Sequence, residues 1–232
     1  MKLVPRVPAA PRHLSDKEEA ALLAAVTAHG TPRDRTLLIT ALHTGLRAEE
    51  LCNLQRADLT IVARSGQVTV YGKRNKYREV PLNSTARAAL GAWLATLPPD
   101  AACLFPSKKG GGALTARALG YLLTKYATLA RVVDVSPHDL RHRFGYRMAR
   151  TVPLHRLAQI MGHDALDTTR LYVGGRGRIC NKPSRRSPGR DRRARRERSR
   201  TFLFHCYSWA DWLRVAPPDR RAQVAGGWRN GQ

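Results

Sequence analysis

The chain has 232 residues, enough for one domain with a real core plus an appendage. Its formal net charge of +24 and pI of about 11.2 favour a nucleic-acid partner over a ribosomal-type or anionic-membrane-surface protein. No stretch approaches the ~18 apolar residues of a membrane-spanning helix, and Met1-Lys2-Leu3-Val4-Pro5-Arg6 lacks the apolar run of a signal peptide. The chain is therefore expected in the cytoplasm, associated with the nucleoid. Cys52, Cys103, Cys180 and Cys206 form no CxxC pair, so they read as reduced thiols, and neither a metal site nor a cofactor is expected.

The charge is uneven. Residues 1–173 carry 25 Lys and Arg against 13 Asp and Glu, whereas residues 174–232 carry 16 against 4.

In chain order, residues 1–13, with Pro5, Pro8 and Pro11, read as an extended linker-like segment. Ser15-Asp16-Lys17-Glu18 is a capping box that opens a helix with Leu22, Leu23 and Val26 on one face. Thr31-Pro32 starts a second helix carrying Leu37, Leu38, Ala41 and Leu42, and Gly45 suits its C-terminal turn. A short third helix follows Arg47. The period then changes. Leu59–Val62, Gln67–Tyr71 and Tyr77–Leu82 alternate or run β-branched, separated by Ser65-Gly66 and Arg74-Asn75, and predict a three-stranded antiparallel meander.

Helical patterns return at about 84–96, 114–132, 137–151 and 153–161. Ser136-Pro137 and Val152-Pro153 are start signals for two of them. Gly110-Gly111-Gly112 reads as a flexible loop, and a last short helix is expected to hold Thr168 to Tyr172. Residues 174–232 form an Arg-rich tail expected to be disordered. Twelve basic residues lie within 174–200, which cannot bury enough apolar surface to fold alone. One short amphipathic helix is expected at 202–215. The fold class is α+β, mainly α: a helical bundle with one small meander.

Six residues in separate motifs stand out. Arg47 sits in Thr44-Gly45-Leu46-Arg47-Ala48-Glu49-Glu50, and Lys73 in Gly72-Lys73-Arg74-Asn75-Lys76-Tyr77-Arg78. His138 and Arg141 sit in His138-Asp139-Leu140-Arg141-His142; His163 follows Met161-Gly162; Tyr172 follows Thr168-Thr169-Arg170-Leu171. Taken singly, each has a bland alternative: a solvated arginine, an exposed basic turn, a structural histidine, a core tyrosine. Glu50 is three residues from Arg47 and can hold its guanidinium, whose planar fork suits a phosphate. Lys73 at a hairpin tip is a mobile cation whose basic neighbours lower its pKa toward proton donation. His138 and Arg141 share one helix face near a helix N-terminus, where an anion is favoured. His142 is read as pointing elsewhere, in a structural or solvent-facing role. A phenol with pKa near ~10 is a poor nucleophile at neutral pH, but cations and a base make it usable.

Together, in this order, the motifs resemble the tyrosine recombinase (phage integrase) family, most closely its Xer-type and integron-like bacterial members. The likeness covers residues 14–173, the extent of that family's catalytic domain. It implies a site-specific recombinase that cuts and rejoins double-stranded DNA through a 3′-phosphotyrosyl link, without metal or ATP. It makes Tyr172 the nucleophile, Arg47 and Arg141 the phosphate clamp, Lys73 the general acid, His138 the helper in proton removal and His163 a hydrogen-bond donor to the scissile phosphate. Glu50 matches the family's acidic support residue. Arg74, Lys76, Arg78 and Arg170 are expected DNA contacts, and the assembly implied is a homo-oligomer, a tetramer on DNA.

Two departures accompany the resemblance. The family's N-terminal clamp domain is expected to be absent before residues 1–13, which would weaken DNA binding by orders of magnitude. Val173-Gly174-Gly175-Arg176-Gly177 stands where the family places a docking helix, and each glycine disfavours a helix by about 1 kcal/mol. The tail either supplies electrostatic DNA binding or is an out-of-frame reading of GC-rich DNA. Two rival functions therefore stand beside recombination: a non-catalytic DNA-binding remnant of a truncated recombinase, and a type IB topoisomerase-like nicking and resealing activity.

Overall fold

The computed structural model describes residues 11–72, 77–108, 110–163 and 166–172. Helix α1 (Asp16–His29) begins with the expected box: the Ser15 N–H donates to Glu18 Oε2 at 2.7 Å, and the Glu18 N–H to Ser15 Oγ at 3.3 Å. Helix α2 (Pro32–Thr44) is capped by Thr31, with Pro32 in its first turn. It is buried almost all round, as suits a helix at the centre of a core. Its polar residues are satisfied locally, with Thr40 and Thr44 donating to the carbonyls of Thr36 and Thr40. Asp34 accepts from Arg33 and from the Tyr126 hydroxyl at 2.8 Å. Helix α3 (Ala48–Cys52) follows directly after Arg47.

The meander forms as expected. Strand β1 (Leu59–Ile61) pairs antiparallel with β2 (Gly66–Tyr71), and β2 with β3 (Tyr77–Pro81), in the order β1-β2-β3. Leu59 lies opposite Val68 and Val68 opposite Val80, so one face buries Val68, Val70 and Val80. The last rung joins Tyr71 to Tyr77, both exposed. The hairpin tip at 73–76 lies outside the described residues.

Then come α4 (Ser84–Leu94), α5 (Ala116–Leu129), α6 (Pro137–Met148), α7 (Leu154–Met161) and α8 (Leu166–Arg170). The glycine loop closes a turn in which the Ser107 N–H donates to the Gly112 carbonyl at 2.7 Å. Tyr172 lies just past α8, in a turn where its N–H reaches the Thr169 carbonyl at 3.1 Å. One core joins Leu22 and Val26 of α1, Leu37 and Leu42 of α2, Leu90 of α4, Leu123 and Tyr126 of α5, Phe144 and Met148 of α6, Met161 of α7 and the sheet valines. Helix α2 packs most extensively on α4 and α6. Helix α6 is also tied to α1 by charge: Arg143 meets Asp16 and, at 2.6 Å, Glu19, and Arg147 meets Glu19 at 2.8 Å.

Among the described residues, no helix is long and apolar enough to cross a membrane, and no cluster of His, Cys, Asp and Glu could hold a metal ion. The helix expected at 202–215 and the rest of the tail lie outside the described residues.

Candidate active site

Two left-handed glycines set the frame. Gly45 ends α2 at φ +62°, and a Cβ there would fall 2.3 Å from the Phe144 ring. Only glycine permits both the left-handed backbone and so close an approach of α2 to α6. The chain then turns so that Leu46 enters the core and Arg47 stands at the head of α3. Gly162 ends α7 at φ +64°, and a Cβ there would meet Arg78 Nη1 at 2.8 Å.

The C-terminus of α7 gathers the cations. The last carbonyls of a helix lack intrahelical partners and form the negative end of its dipole. Three consecutive ones each take a guanidinium: Arg78 Nε donates to Ile160 O at 2.9 Å, Arg141 Nη2 to Met161 O at 2.6 Å, and Arg47 Nη2 to Gly162 O at 2.7 Å. Arg141 also donates through Nη1 to Gly45 O at 2.5 Å, which fixes it between the ends of α2 and α7. Burial, with Arg47 adding repulsion, lowers the Arg141 pKa to about 10, so it remains charged at neutral pH.

Glu50 balances this cluster. It accepts from Arg47 Nη1 at 2.9 Å and from the Arg47 N–H at 2.8 Å, and it takes Arg78 through both oxygens at 3.0 and 2.8 Å. Burial pushes its carboxyl pKa up, but the hydrogen bonds from Arg78 and Arg47 outweigh that and hold it down at about 2. Glu50 is thus the support expected for Arg47. Arg78 differs from expectation. It was expected to contact DNA from the hairpin, yet its side chain is turned inward and spent on Glu50 and Ile160. The reason is the register: on β3, Arg78 lies opposite Val70, whose side chain is buried.

His163 follows Gly162 directly, and Tyr172 packs against it. His163 Nδ1 is 2.8 Å from Oγ1 of the fully buried Thr169. Burial first, then Arg141 and Arg47, drop its pKa to about 4, so the ring is neutral at physiological pH. It stacks near-parallel on the Tyr172 ring, 6.2 Å between centroids. Tyr172 is 6% exposed. The Tyr146 ring meets it edge-on at 5.2 Å, and Gly145 clears room for it, since a Cβ there would lie 2.7 Å from the ring. Burial raises the phenol pKa, partly opposed by Arg141.

The phenol oxygen lies 3.0 Å from His142 Nδ1. This corrects the reading of His142 as pointing elsewhere. His138, Arg141, His142 and Gly145 stand at i, i+3, i+4 and i+7 of α6, one stripe of a helix. That spacing was readable in the sequence and marks His142 as a member of the site. His138 is exposed in the first turn of α6. Arg170 is exposed at the end of α8. Lys73, Arg74 and Lys76 lie outside the described residues. The structure thus brings Arg47, Glu50, Arg141, His163 and Tyr172 together and adds Arg78, His142, Tyr146 and Thr169.

A cluster of arginines, a neutral histidine and a buried phenol is equipped to bind a phosphate and attack it. Residues 12–176 match the Phage integrase family. The chain belongs to this family.

The chain is 37% identical over 176 residues to the tyrosine recombinase XerC of Xanthomonas campestris pv. campestris (strain B100), covering 72% of this chain and 54% of that one. It is 32% identical over 173 residues to XerA of Thermococcus onnurineus (strain NA1), covering 73% and 60%. It spans about half the length of the curated XerC relatives it matches. Among solved structures, the XerH recombinase bound to palindromic difH substrate after cleavage superposes with a TM-score of 0.63 at 26% identity, covering 71% of this chain and 50% of that one. The XerA recombinase gives 0.62 at 25% identity, covering 72% and 60%. The fold is therefore the expected one: mostly helical with a three-stranded antiparallel sheet.

Proposed function

We propose that residues 14–173 form the catalytic unit of a site-specific DNA recombinase that cuts and rejoins double-stranded DNA through a 3′-phosphotyrosyl intermediate. The observation that carries this reading is the convergence of Arg47 and Arg141 on adjacent carbonyls of the α7 terminus, on the turn that leads into His163 and Tyr172. Each guanidinium has five N–H donors, and only some are committed to protein oxygens. The remainder suit the non-bridging oxygens of a phosphate and the charge that grows on them in the transition state.

In this reading Tyr172 attacks the phosphorus and a DNA 5′-oxygen leaves. Lys73 protonates that oxygen. His163, neutral and fixed through Nδ1, keeps Nε2 for the phosphate. His138, in the first turn of α6, is the helper in proton removal that the family resemblance implies. Glu50, itself fixed by Arg78, holds Arg47 in place. Arg74, Lys76 and Arg170 contact the DNA backbone, where each cation contributes salt-sensitive affinity. The covalent link conserves the phosphodiester energy, and the 5′-hydroxyl of a partner duplex resolves it within a homo-oligomer on DNA. The setting that fits such a substrate is the cytoplasm, at the nucleoid.

The test is a covalent trap. Duplexes nicked next to the scissile phosphate lose their 5′-hydroxyl fragment, so cleavage accumulates as a protein–DNA adduct on a denaturing gel. The chain is expected to form the adduct, and Tyr172→Phe to form none. An adduct that survives Tyr172→Phe, or no adduct with any duplex, sinks the assignment. Plasmid relaxation without strand exchange would place the same chemistry in a nicking and resealing enzyme.

A further inference from the structure

We propose that His142, rather than His138, accepts the phenolic proton of Tyr172 during DNA cleavage, a role that rests on the recombinase reading above. His142 Nδ1 lies 3.0 Å from the Tyr172 oxygen, within the reach required of a general base. The two rings are 5.8 Å apart and inclined at 52°, so the contact runs through the edge of the imidazole. His138 sits exposed in the first turn of the same helix.

The surroundings hold this pair together. Gly145, one turn after His142, leaves the space that the Tyr172 ring fills. Tyr146 covers that ring edge-on, and His13, before α1, lies on Tyr146 with centroids 4.1 Å apart. The charged and titratable groups around His142 are His138, Asp139 and Arg141 on its own helix, His13 from the N-terminal segment, and Tyr172 and His163 across the site. Burial lowers the His142 pKa, and Asp139 opposes that. The imidazole is therefore neutral at physiological pH, with Nδ1 free of its proton when Nε2 carries the hydrogen.

The step balances. The Tyr172 oxygen forms a bond to phosphorus while its proton moves to His142 Nδ1, giving an imidazolium. The bond from phosphorus to the 5′-oxygen breaks, and that oxygen takes a proton from the general acid, Lys73 in the reading above. Rejoining reverses each transfer, with His142 returning its proton to the phenol.

Single-turnover adduct formation on the nicked duplex tests this. His142→Asn keeps an acceptor at the Nδ1 position without its basicity, and His142→Ala removes both. Both variants are expected to slow adduct formation by roughly 10²-fold or more, with duplex affinity and melting unchanged. Added imidazole should restore the Ala variant, and the acid limb of the wild-type pH–rate profile should vanish in it. His142→Gln substitutes if His142→Asn alters melting. A His142→Asn rate equal to wild type, or an Ala variant that imidazole does not restore, overturns the proposal. If the wild-type chain forms adduct and the Asn variant matches it, only this inference falls. If the wild-type chain forms none, the recombinase reading falls with it.

Discussion

Gly145 and Tyr172 depend on each other through the absence of one methyl group. Gly145 has an ordinary helical backbone, so alanine there would favour α6 by up to about 1 kcal/mol on propensity alone. Its Cβ would nevertheless lie 2.7 Å from the Tyr172 ring. Gly145→Ala is therefore expected to keep its far-UV circular dichroism while the phenol is displaced from His142. Since a misplacement of ~1 Å costs roughly 10²-fold, adduct formation should fall by about that factor. A Gly145→Ala protein with wild-type adduct rates would show that the ring does not sit in that niche when it reacts.

Helix α6 carries Arg141, His142 and Gly145, and its placement rests on charge as well as packing. Glu19, only 6% exposed, takes Arg143 on one oxygen and Arg147 on the other. Burying Glu19 and Arg143, with Arg147 half-buried beside them, is tolerable only because each has a partner. Removing the carboxylate in Glu19→Ala leaves two cations at the α1–α6 seam with only the exposed Asp16 near Arg143. The expected loss is about 3 kcal/mol, or roughly 6–12 °C in Tm for a domain of this size. A scanning calorimetry shift under ~2 °C would show that the α1–α6 seam is held by its apolar contacts alone. Helix α7 contributes differently: its terminus supplies carbonyls rather than side chains, and these gather arginines from α6, β3 and the head of α3.

For the whole molecule, acid should loosen the fold well before its carboxylates titrate. His43 and His163 both fall from an ordinary value of 6.5 to about 4, chiefly through burial. Between those values the unfolded chain binds more protons than the folded one, so stability rises with pH across that window and is lost as pH falls through it. Glu50, lowered to about 2, extends the loss below pH 4.5. Urea midpoints are expected to fall steadily from pH 6.5 to 4, with a shallower slope in the His43→Gln, His163→Gln double variant. A midpoint that stays constant over that range would mean that neither ring is held neutral by the fold.

Local chemistry was enough to place most elements. The Ser15–Glu18 box, Pro32 after Thr31, the β-branched runs and the Pro137 start each act over a few residues, and the helices and meander appear where those signals stand. The motifs around Arg47, Arg141, His163 and Tyr172 were readable for the same reason. The partners of these residues were not. Arg47 finds Gly162 across 115 positions, Arg78 finds Ile160 across 82, and Glu50 finds Arg78 across 28. No periodicity encodes such meetings: Arg47 and Arg78 find backbone carbonyls at a helix end, which every residue carries, and Glu50 meets Arg78 only once the fold brings β3 beside α3. Arg78 therefore read as a surface cation until the β3 register turned it inward. His142 is the intermediate case: its helix stripe was in the sequence, but the phenol that gives it a role arrives from 30 residues away.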